Sequence, residues 1–247
     1  MRKYAFISPI ILIFLWFALS YLHLVSPLLL PSPVSTVKRL LEVLFSGDLI
    51  PDIKATGYRW AAGYALGILA GVPIGITLGL SKRLYESVEF LLDFFRSLPV
   101  TALFPLFLLA FGIGDGSKIA MVFASAIFVI ILNSAYGVQH ATKTRIKMAK
   151  SFGATDWQIF RMIVFFESLP GTLVGMRVAL SLSLIVVIVS EMFIGTKFGL
   201  GQRIFDAYSR NYVAELYAVV LFIGIIGYLL NKIFVRFEQR VVFWAGR

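Results

Sequence analysis

The sequence predicts an all-α polytopic membrane protein with about six transmembrane helices. Of its 247 residues, 59% are hydrophobic and only 15% are charged, whereas an average soluble domain has about 25% charged residues. Six apolar stretches approach the roughly 20 residues that an α-helix needs to cross a bilayer. They cover residues 5–25, 58–80, 99–113, 117–137, 171–194 and 213–235. Because six spans leave little for soluble domains, we expect residues 1–247 to form a single transmembrane domain.

The first and third stretches need separate justification. Residues 5–25 follow Arg2 and Lys3, as a signal-peptide core would, but the stretch is too long and lacks a small-residue cleavage site. We therefore expect a retained span there. The third stretch is short and contains Pro99 and Pro105, so its ends are the least sharply defined of the six.

The distribution of basic residues predicts the orientation in the membrane. An even number of spans places both termini on one side. Of the 23 Lys and Arg residues, fourteen lie in or next to segments on the side of the termini and seven on the other side, and Arg59 and Arg177 are not counted. The positive-inside rule then places both termini in the cytoplasm, and residues 143–170 with them.

Two connecting segments on the outer side have helical patterns. In "SPVSTVKRLLEVLF", Ser35 precedes Val37, Leu40 and Leu44, which predicts a capped amphipathic helix lying along the membrane surface. After the fifth span, Gly195 and its neighbouring glycines precede a second short helical pattern.

The second span has a regular glycine pattern. Residues at intervals of four in "GYALGILAGVPIGITLG" are glycine: Gly63, Gly67, Gly71, Gly75 and Gly79. Small residues at this spacing allow another helix backbone to approach closely. The stripe predicts tight helix packing, either inside one subunit, at a subunit–subunit contact or at a contact that moves. Pro73 within the stripe predicts a local kink.

Enzyme chemistry has no support in the sequence. The absence of cysteine excludes thiol nucleophiles, iron–sulfur clusters and Cys-ligated zinc. The two histidines have no second ligand nearby in sequence, and no phosphate-binding P-loop pattern occurs. We therefore expect no catalytic residue, metal site or bound cofactor. If transport uses ATP, a different polypeptide must bind it.

Ionisable residues within spans, or at their ends, are candidates for function because charge in hydrocarbon is costly. Among them are Arg59, Asp115, Arg177 and Glu191. Glu191 follows Ser181, Ser183 and Ser190 on the fifth span. These polar side chains either line a translocation pathway or form hydrogen bonds between helices. Arg177 either reaches lipid phosphate or pairs with the segment before its span.

Residues 143–170 form a polar segment between two spans. A basic helix is expected to stop at Gly153, and Thr155 with Gln158 predicts a capping box that starts a second helix. We expect Leu169-Pro170 to end that helix before the fifth span. Two helices with basic flanks also suggest DNA binding, but their position between two spans excludes nucleic acid as a partner. A rigid projection that contacts a cytosolic partner remains.

At these residues the chain resembles the permease subunits of bacterial ATP-binding-cassette importers, in particular the nitrate, sulfonate, taurine and bicarbonate group. The family motif is Glu-Ala-Ala, three residues, Gly, nine residues, Ile, one residue and Leu-Pro. Here it corresponds to Lys147-Met148-Ala149, Gly153 and Ile163, with Phe165-Phe166 in place of Leu-Pro. "FFRSLPVTALFPLFLLAFGIGDGSK", "GMRVALSLSLIVVIVSEMFIG" and "GLGQRIFDA" resemble the same group.

The resemblance implies a type I importer fold and a role in transport without enzymatic activity. Residues 143–170 would form the cytoplasmic coupling loop, whose contact with a cytosolic ATPase dimer involves Ala149, Gly153, Ala154, Thr155, Asp156 and Trp157. A periplasmic solute-binding protein would deliver a small anion or organic solute, and a second permease copy would complete a homodimer in the inner membrane.

Two rival classes remain to be weighed against this resemblance. An ion-gradient-driven secondary transporter should show inverted repeats and acidic residues at mid-membrane depth, and neither is clear here. A membrane-embedded enzyme should show clustered His, Asp or Glu near one face, and the sequence has no such cluster.

Overall fold

The computed structural model describes residues 7–26, 28–141 and 143–244, and every regular element in these ranges is helical. The helices are α1 (Ile7–Tyr21), α2 (Pro33–Phe45), α3 (Ile50–Leu80), α4 (Lys82–Ser97), α5 (Phe104–Phe111), α6 (Asp115–Gln139), α7 (Lys143–Ser151), α8 (Asp156–Ile159), α9 (Phe165–Ile194), α10 (Leu200–Ser209) and α11 (Val213–Val241). A 3₁₀ turn, Val100–Leu103, precedes α5, and a π-helical turn, Phe160–Val164, joins α8 to α9.

Four continuous helices are long and apolar enough to cross a membrane: Ile50–Leu80, Asp115–Gln139, Asp156–Ile194 and Val213–Val241. The pair formed by Lys82–Ser97 and Val100–Phe111 passes the same test but is bent by 79° at the break, as in a broken span. The apolar helix α1 has 15 residues, fewer than a straight span needs. The predicted all-α polytopic fold is confirmed, and the predicted count of about six holds approximately.

The centre of the molecule is the packing of α3 and α9 on either side of α6. The predicted glycine stripe of α3 lies against α6 along its whole length. A Cβ added to Gly63 would lie 2.6 Å from the Cβ of Val122, and one added to Gly71 would lie 3.0 Å from that of Ile130. Gly67, Gly75 and Gly79 face Ala126, Ser134 and Val138 in the same way. The two helices therefore match in steps of four residues, and their backbones are too close for any larger side chain.

A second close approach joins α6 to α9 and was not singled out in the sequence. Added Cβ atoms at Gly137 and Gly171 would lie 2.7 Å from the carbonyl oxygen of Ser168 and 3.0 Å from the Cα of Gly137, respectively. Gly175 packs against the side chain of Asn133. These contacts involve backbone on both sides, so α6 is held tightly by two neighbours.

Two local predictions from the sequence are wrong. Leu169-Pro170 does not end a helix, because residues Asp156–Ile194 form one continuous 39-residue helix that includes Pro170. Proline is tolerated inside such a helix when neighbouring helices hold it, as α6 does at Gly171. The N-cap of α2 is Ser32 and not Ser35. The Ser32 hydroxyl accepts the Ser35 N–H at 3.1 Å, because Pro33 fixes the first turn immediately after it.

Candidate functional site

The α7–α8 segment forms a sharp projection at one end of the molecule, called here the α7–α8 end. Gly153 has φ of +78°, the left-handed conformation that glycine adopts at low cost after a helix. The Ala154 N–H donates back to the carbonyl of Ala149 at 3.0 Å. The predicted capping box is present: the Gln158 N–H donates to the Thr155 hydroxyl at 3.3 Å, and the Thr155 N–H donates to the Gln158 side chain at 2.8 Å. The turn between the two helices is thus fixed by its own hydrogen bonds.

The inner face of this projection packs on the membrane helices. Ala149 and Ala154 lie beside a buried cluster that contains Val138, Ile159 and Val164. The outer face is apolar and exposed. Its large side chains are Met148, Phe152, Trp157 and Met162, which are between 56% and 87% exposed. Exposed apolar patches of this kind mark contacts with another protein or with a membrane.

Basic residues surround this exposed surface. Lys147 and Arg161 are exposed, and Arg145 pairs with Glu167 of α9 at 2.7 Å. Lys150 lies 3.5 Å from Asp156 across the turn. Among the predicted coupling residues, Thr155, Asp156 and Trp157 are exposed, whereas Ala149 and Ala154 are partly covered. The surface presented at this end therefore combines apolar side chains with positive charge.

A buried ion network holds the opposite end of the molecule, called here the α10 end. Arg59 of α3 donates from Nε to Asp115 of α6 at 2.7 Å and from Nη1 to Glu191 of α9 at 2.5 Å. The same guanidinium donates to the Thr196 hydroxyl at 2.8 Å and to the Phe198 carbonyl at 2.9 Å. The Arg59 side chain is 5% exposed, and that of Glu191 is 0% exposed. One guanidinium thus ties three membrane helices to the loop before α10.

The carboxylate of Glu191 is surrounded by further donors. The Thr56 hydroxyl lies 3.0 and 2.9 Å from its two oxygens, and the Gly201 N–H donates to it at 3.0 Å. A Cβ at Gly199 would lie 2.6 Å from the Glu191 carboxyl carbon. Only glycine allows the loop to approach so closely. The Glu191 carboxylate is therefore fully buried and yet hydrogen-bonded at both oxygens.

The network continues toward the surface through α2, α10 and α11. Arg203 of α10 donates to Asp52 at 3.1 Å and to Glu215 at 2.9 Å, and Arg39 of α2 donates to Glu215 at 2.7 Å. The hydrogen bond to Glu215 raises the pKa of the Arg39 guanidinium above its usual value, so this cation remains charged. The Gly199 N–H donates to Asp52 at 2.9 Å. Together with the pairs of Arg59, these contacts join six helices: α2, α3, α6, α9, α10 and α11.

The predicted pathway residues fall in two environments. Ser183 and Ser190 are fully buried and donate to carbonyls of their own helix, at 3.0 and 2.7 Å. The Trp60 indole N–H donates to the Ser183 hydroxyl at 3.0 Å. Ser181 is exposed and lines a cavity of about 360 Å³ between α9 and α11. These positions do not test a role in translocation, which remains a prediction.

Arg177 has a partner that the sequence did not predict. It pairs with Glu238 of α11 at 3.1 Å. Neither lipid phosphate nor the segment before its span is needed to balance its charge.

The described part of the chain contains no group of side chains that could bind a metal ion. Among residues 7–26, 28–141 and 143–244, no three His, Asp or Glu side chains are grouped as a metal site requires. The clustered carboxylates of the α10 end are instead matched by arginines.

Sequence reasoning missed most of the α10-end network. It identified Arg59, Asp115 and Glu191 separately, as ionisable residues at span ends, but not their pairing. Thr56, Asp52, Arg203 and Glu215 carried no signal, because they lie in polar segments where such residues are ordinary. The glycines of "GTKFGLGQ" were the one available clue to a close approach at this point.

Solved structures share this architecture. The inward-facing MetNI methionine ABC transporter matches with a TM-score of 0.63 at 22% identity, over 78% of this chain and 95% of that one. An amino acid ABC transporter crystallised with histidines matches with a TM-score of 0.61 at 17% identity, over 82% and 96% of the two chains. At these identities the likeness shows the fold.

Curated relatives match over most of their length. A bicarbonate transport system permease protein of Synechococcus elongatus is 30% identical over 222 residues, which are 85% of this chain and 80% of the relative. The taurine transport system permease protein of Escherichia coli is 27% identical over 241 residues, 96% and 87% of the two chains. A nitrate import permease protein of Synechocystis is 28% identical over 222 residues, 86% and 80% of the two. Residues 63–243 match the family described as the binding-protein-dependent transport system inner membrane component. The chain therefore belongs to that family, the non-enzymatic permease subunits of ABC importers.

Proposed function

We propose that this chain forms the translocation pathway of an ATP-driven importer for a small anionic solute. A separate dimer of cytosolic ATPases binds and hydrolyses the ATP, and a periplasmic solute-binding protein delivers the solute. A second copy of the chain completes the pathway as a homodimer. The complex lies in the bacterial inner membrane with both termini, and the α7–α8 end, in the cytoplasm.

The observation that carries this proposal is the exposed apolar surface of the α7–α8 projection. Phe152 and Trp157 are 87% and 67% exposed, although both are large and apolar. The capping box and Gly153 make the turn stiff, so a partner that pushes on it moves α9 directly, through the continuous helix that begins at Asp156. A stiff element joined to a membrane helix is suited to transmit a rigid-body displacement.

The solute class is supported by the relatives. Their names refer to taurine, nitrate and bicarbonate, and each of these compounds carries a negatively charged oxygen group at neutral pH. We therefore expect a small oxyanion or an organic molecule that bears one. The α10 end would face the binding protein, with the charged groups of α2 and α10 at its surface.

The test is the replacement of the apolar surface. The double variant Phe152→Ser with Trp157→Ala should fold normally, because both side chains are exposed, and should lose co-purification with its partner ATPase. The matched control is Tyr208→Ala, an equally exposed aromatic at the α10 end, which should retain the ATPase. Full retention of the ATPase by the double variant would contradict the proposed docking.

The energy source is tested separately. Uptake into proteoliposomes that contain the permease, the ATPase and the binding protein should require internal ATP and persist when a protonophore collapses the ion gradient. Uptake that is abolished by the protonophore and indifferent to ATP would support an ion-gradient-driven secondary transporter instead.

A further inference from the structure

Helix α4 carries a stripe of charge that membrane lipid cannot accommodate. Five of its six charged residues recur at intervals of four and three: Lys82, Glu86, Glu89, Asp93 and Arg96. At 100° per residue these five positions fall within a sector of about 80° on one side of the helix. All five are exposed. The buried Leu92 faces α6, and the exposed Leu91 lies on the side opposite the stripe.

The packing of α4 shows how deep this stripe reaches. Helix α4 begins beside the α7–α8 end, directly after α3. Leu92 packs with Ile131 and Ala135 of α6. The ring of Phe95 then stacks on Phe128, with 5.4 Å between centroids. Phe128 lies 13 residues after the start of α6 and 11 before its end, which places it about 16–20 Å from either end. Asp93 and Arg96 therefore lie near the middle of the membrane-spanning bundle.

This depth decides what the stripe faces. A helix lying flat on the membrane surface would also be amphipathic, but its second half would not stack against the middle of α6. Charged side chains at mid-membrane depth face protein or water and not lipid, because their desolvation is costly. The stripe ends where the broken span bends by 79° between α4 and α5. Discontinuous helices near mid-membrane commonly form solute sites.

A cavity lies at this bend. It has a volume of about 520 Å³ and is bounded by the end of α4, the 3₁₀ turn, α6 and α9. Arg96, Thr101, Ser125 and Asn133 provide its polar groups, and Arg96 is the one charged side chain among the described residues that line it. The Asn133 side-chain amide donates one N–H to the Val129 carbonyl at 2.8 Å, and its second N–H can donate to a ligand. Arg96 pairs with Asp93 at 3.2 Å on an exposed face.

We propose that the charged face of α4 lines a water-filled passage open at the α7–α8 end, and that Arg96 at its deep end binds the oxyanion group of the solute. The identity of the solute rests on the proposed function, whereas the water-filled passage does not. A guanidinium can donate two parallel hydrogen bonds to an oxyanion. Glu86, Glu89 and Asp93 then line the exit, where like charge favours release of an anion that has left Arg96.

The absence of cysteine from the chain permits a direct test of the passage. Single cysteines are introduced at Glu89, Asp93 and Leu91 of the full-length chain, in inside-out membrane vesicles without nucleotide. A membrane-impermeant methanethiosulfonate should modify Glu89→Cys and Asp93→Cys at least about tenfold faster than Leu91→Cys, which has lipid or protein on its side of the helix. Equal rates at all three sites would show that the charged side of α4 does not face an aqueous space of its own, and would overturn the proposal. So would a lack of modification at Glu89→Cys and Asp93→Cys, whether or not disulfides then join two copies through these positions.

The anion site is tested with reagents of opposite charge. Thr101→Cys places a thiol at the cavity, where an anionic sulfonatoethyl reagent is compared with a cationic trimethylammonioethyl reagent. Adding Arg96→Gln should lower the ratio of the anionic to the cationic rate at least about fivefold, because one positive charge is lost beside the thiol. Arg96→Lys keeps the charge and should keep the ratio. A ratio unchanged by Arg96→Gln would overturn the anion site.

These measurements separate the inference from the proposed function. Modification of a cysteine requires neither ATP nor the ATPase. A chain that fails to bind the ATPase in the docking experiment can therefore still show the passage. Conversely, an unreactive α4 face would leave the docking result standing.

Discussion

The two ends of this molecule differ in which side chains are buried: charged groups at the α10 end, but not at the α7–α8 end. At the α10 end, Arg59 and Glu191 are buried together and satisfied by several partners. At the α7–α8 end, large apolar side chains are exposed, and the ion pairs around them lie at the surface. Soluble proteins usually bury the apolar groups and expose the charged ones. The inversion at both ends indicates that each serves a different task in the assembled protein.

The difference concerns which parts of the fold are fixed to one another. The Arg59 network ties α3, α6 and α9 to the loop before α10, so these elements are held as one unit. The α7–α8 projection contacts the membrane helices through the Arg145–Glu167 ion pair at the start of α9 and through a small apolar cluster. We infer that the α10 end stabilises the fold, while the α7–α8 end presents a contact surface.

The largest expected loss of stability follows from disrupting the buried ion network of the α10 end. Arg59→Met removes the cation beside Glu191 and leaves a fully buried carboxylate without its strongest partner. Removing one member of a buried pair typically costs about 3–5 kcal/mol of unfolding free energy. The measurement is thermal unfolding of the purified protein in detergent, where we expect a large fall in Tm or loss of folded protein.

Two controls make that result specific. Lys197→Met removes an exposed cation from the same end and should change Tm little. The double variant Arg59→Met with Glu191→Met removes both charges and should recover part of the loss, because no buried charge remains. A fall in Tm for Arg59→Met no greater than that for Lys197→Met would show that the network is not stabilising.

An intermediate effect tests the central packing that connects the two ends. A Cβ at Gly75 would lie 2.5 Å from the Ile131 carbonyl oxygen and 2.7 Å from the Ser134 Cβ. Because backbone cannot yield easily, Gly75→Ala should cost about 1–3 kcal/mol by overpacking. Gly57→Ala on the same helix meets nothing within 4 Å and should instead stabilise the helix by up to about 1 kcal/mol. The two Tm values should move in opposite directions; a shared direction would contradict this account of the glycine stripe.

The sequence predicted those features whose cause is local. The four-residue glycine period, the stop at Gly153 and the Thr155–Gln158 capping box depend on neighbouring residues, and the structure contains all three. The prediction of a helix end at Leu169-Pro170 was wrong because proline usually ends helices in water, whereas here packing against α6 supports the helix beyond Pro170. Local rules fail where a packed neighbour replaces the missing hydrogen bond.

Two kinds of feature could not be predicted from the sequence: ion pairs between distant residues, and a span that carries many charges. Arg59 and Glu191 are separated by 132 positions, and no pattern relates them. The third predicted span covered residues 99–113 and therefore did not include helix α4. Its stripe of five charges lowers the hydropathy that identifies a span. The charges that prevented the prediction of this helix as part of a span are also the basis for the proposed water-filled passage.

The smallest expected effect completes the comparison at the exposed end. Arg145 pairs with Glu167 at 2.7 Å; the Glu167 side chain is 15% exposed, but the Arg145 side chain is 68% exposed, so water reaches the pair. Exposed ion pairs contribute about 0–1 kcal/mol, because water and salt screen them. Arg145→Gln should therefore lower Tm by at most a small amount, and the difference from wild type should shrink further at high salt. If this variant loses as much stability as Arg59→Met, exposure does not decide the strength of these pairs, and the contrast between the two ends must be rejected.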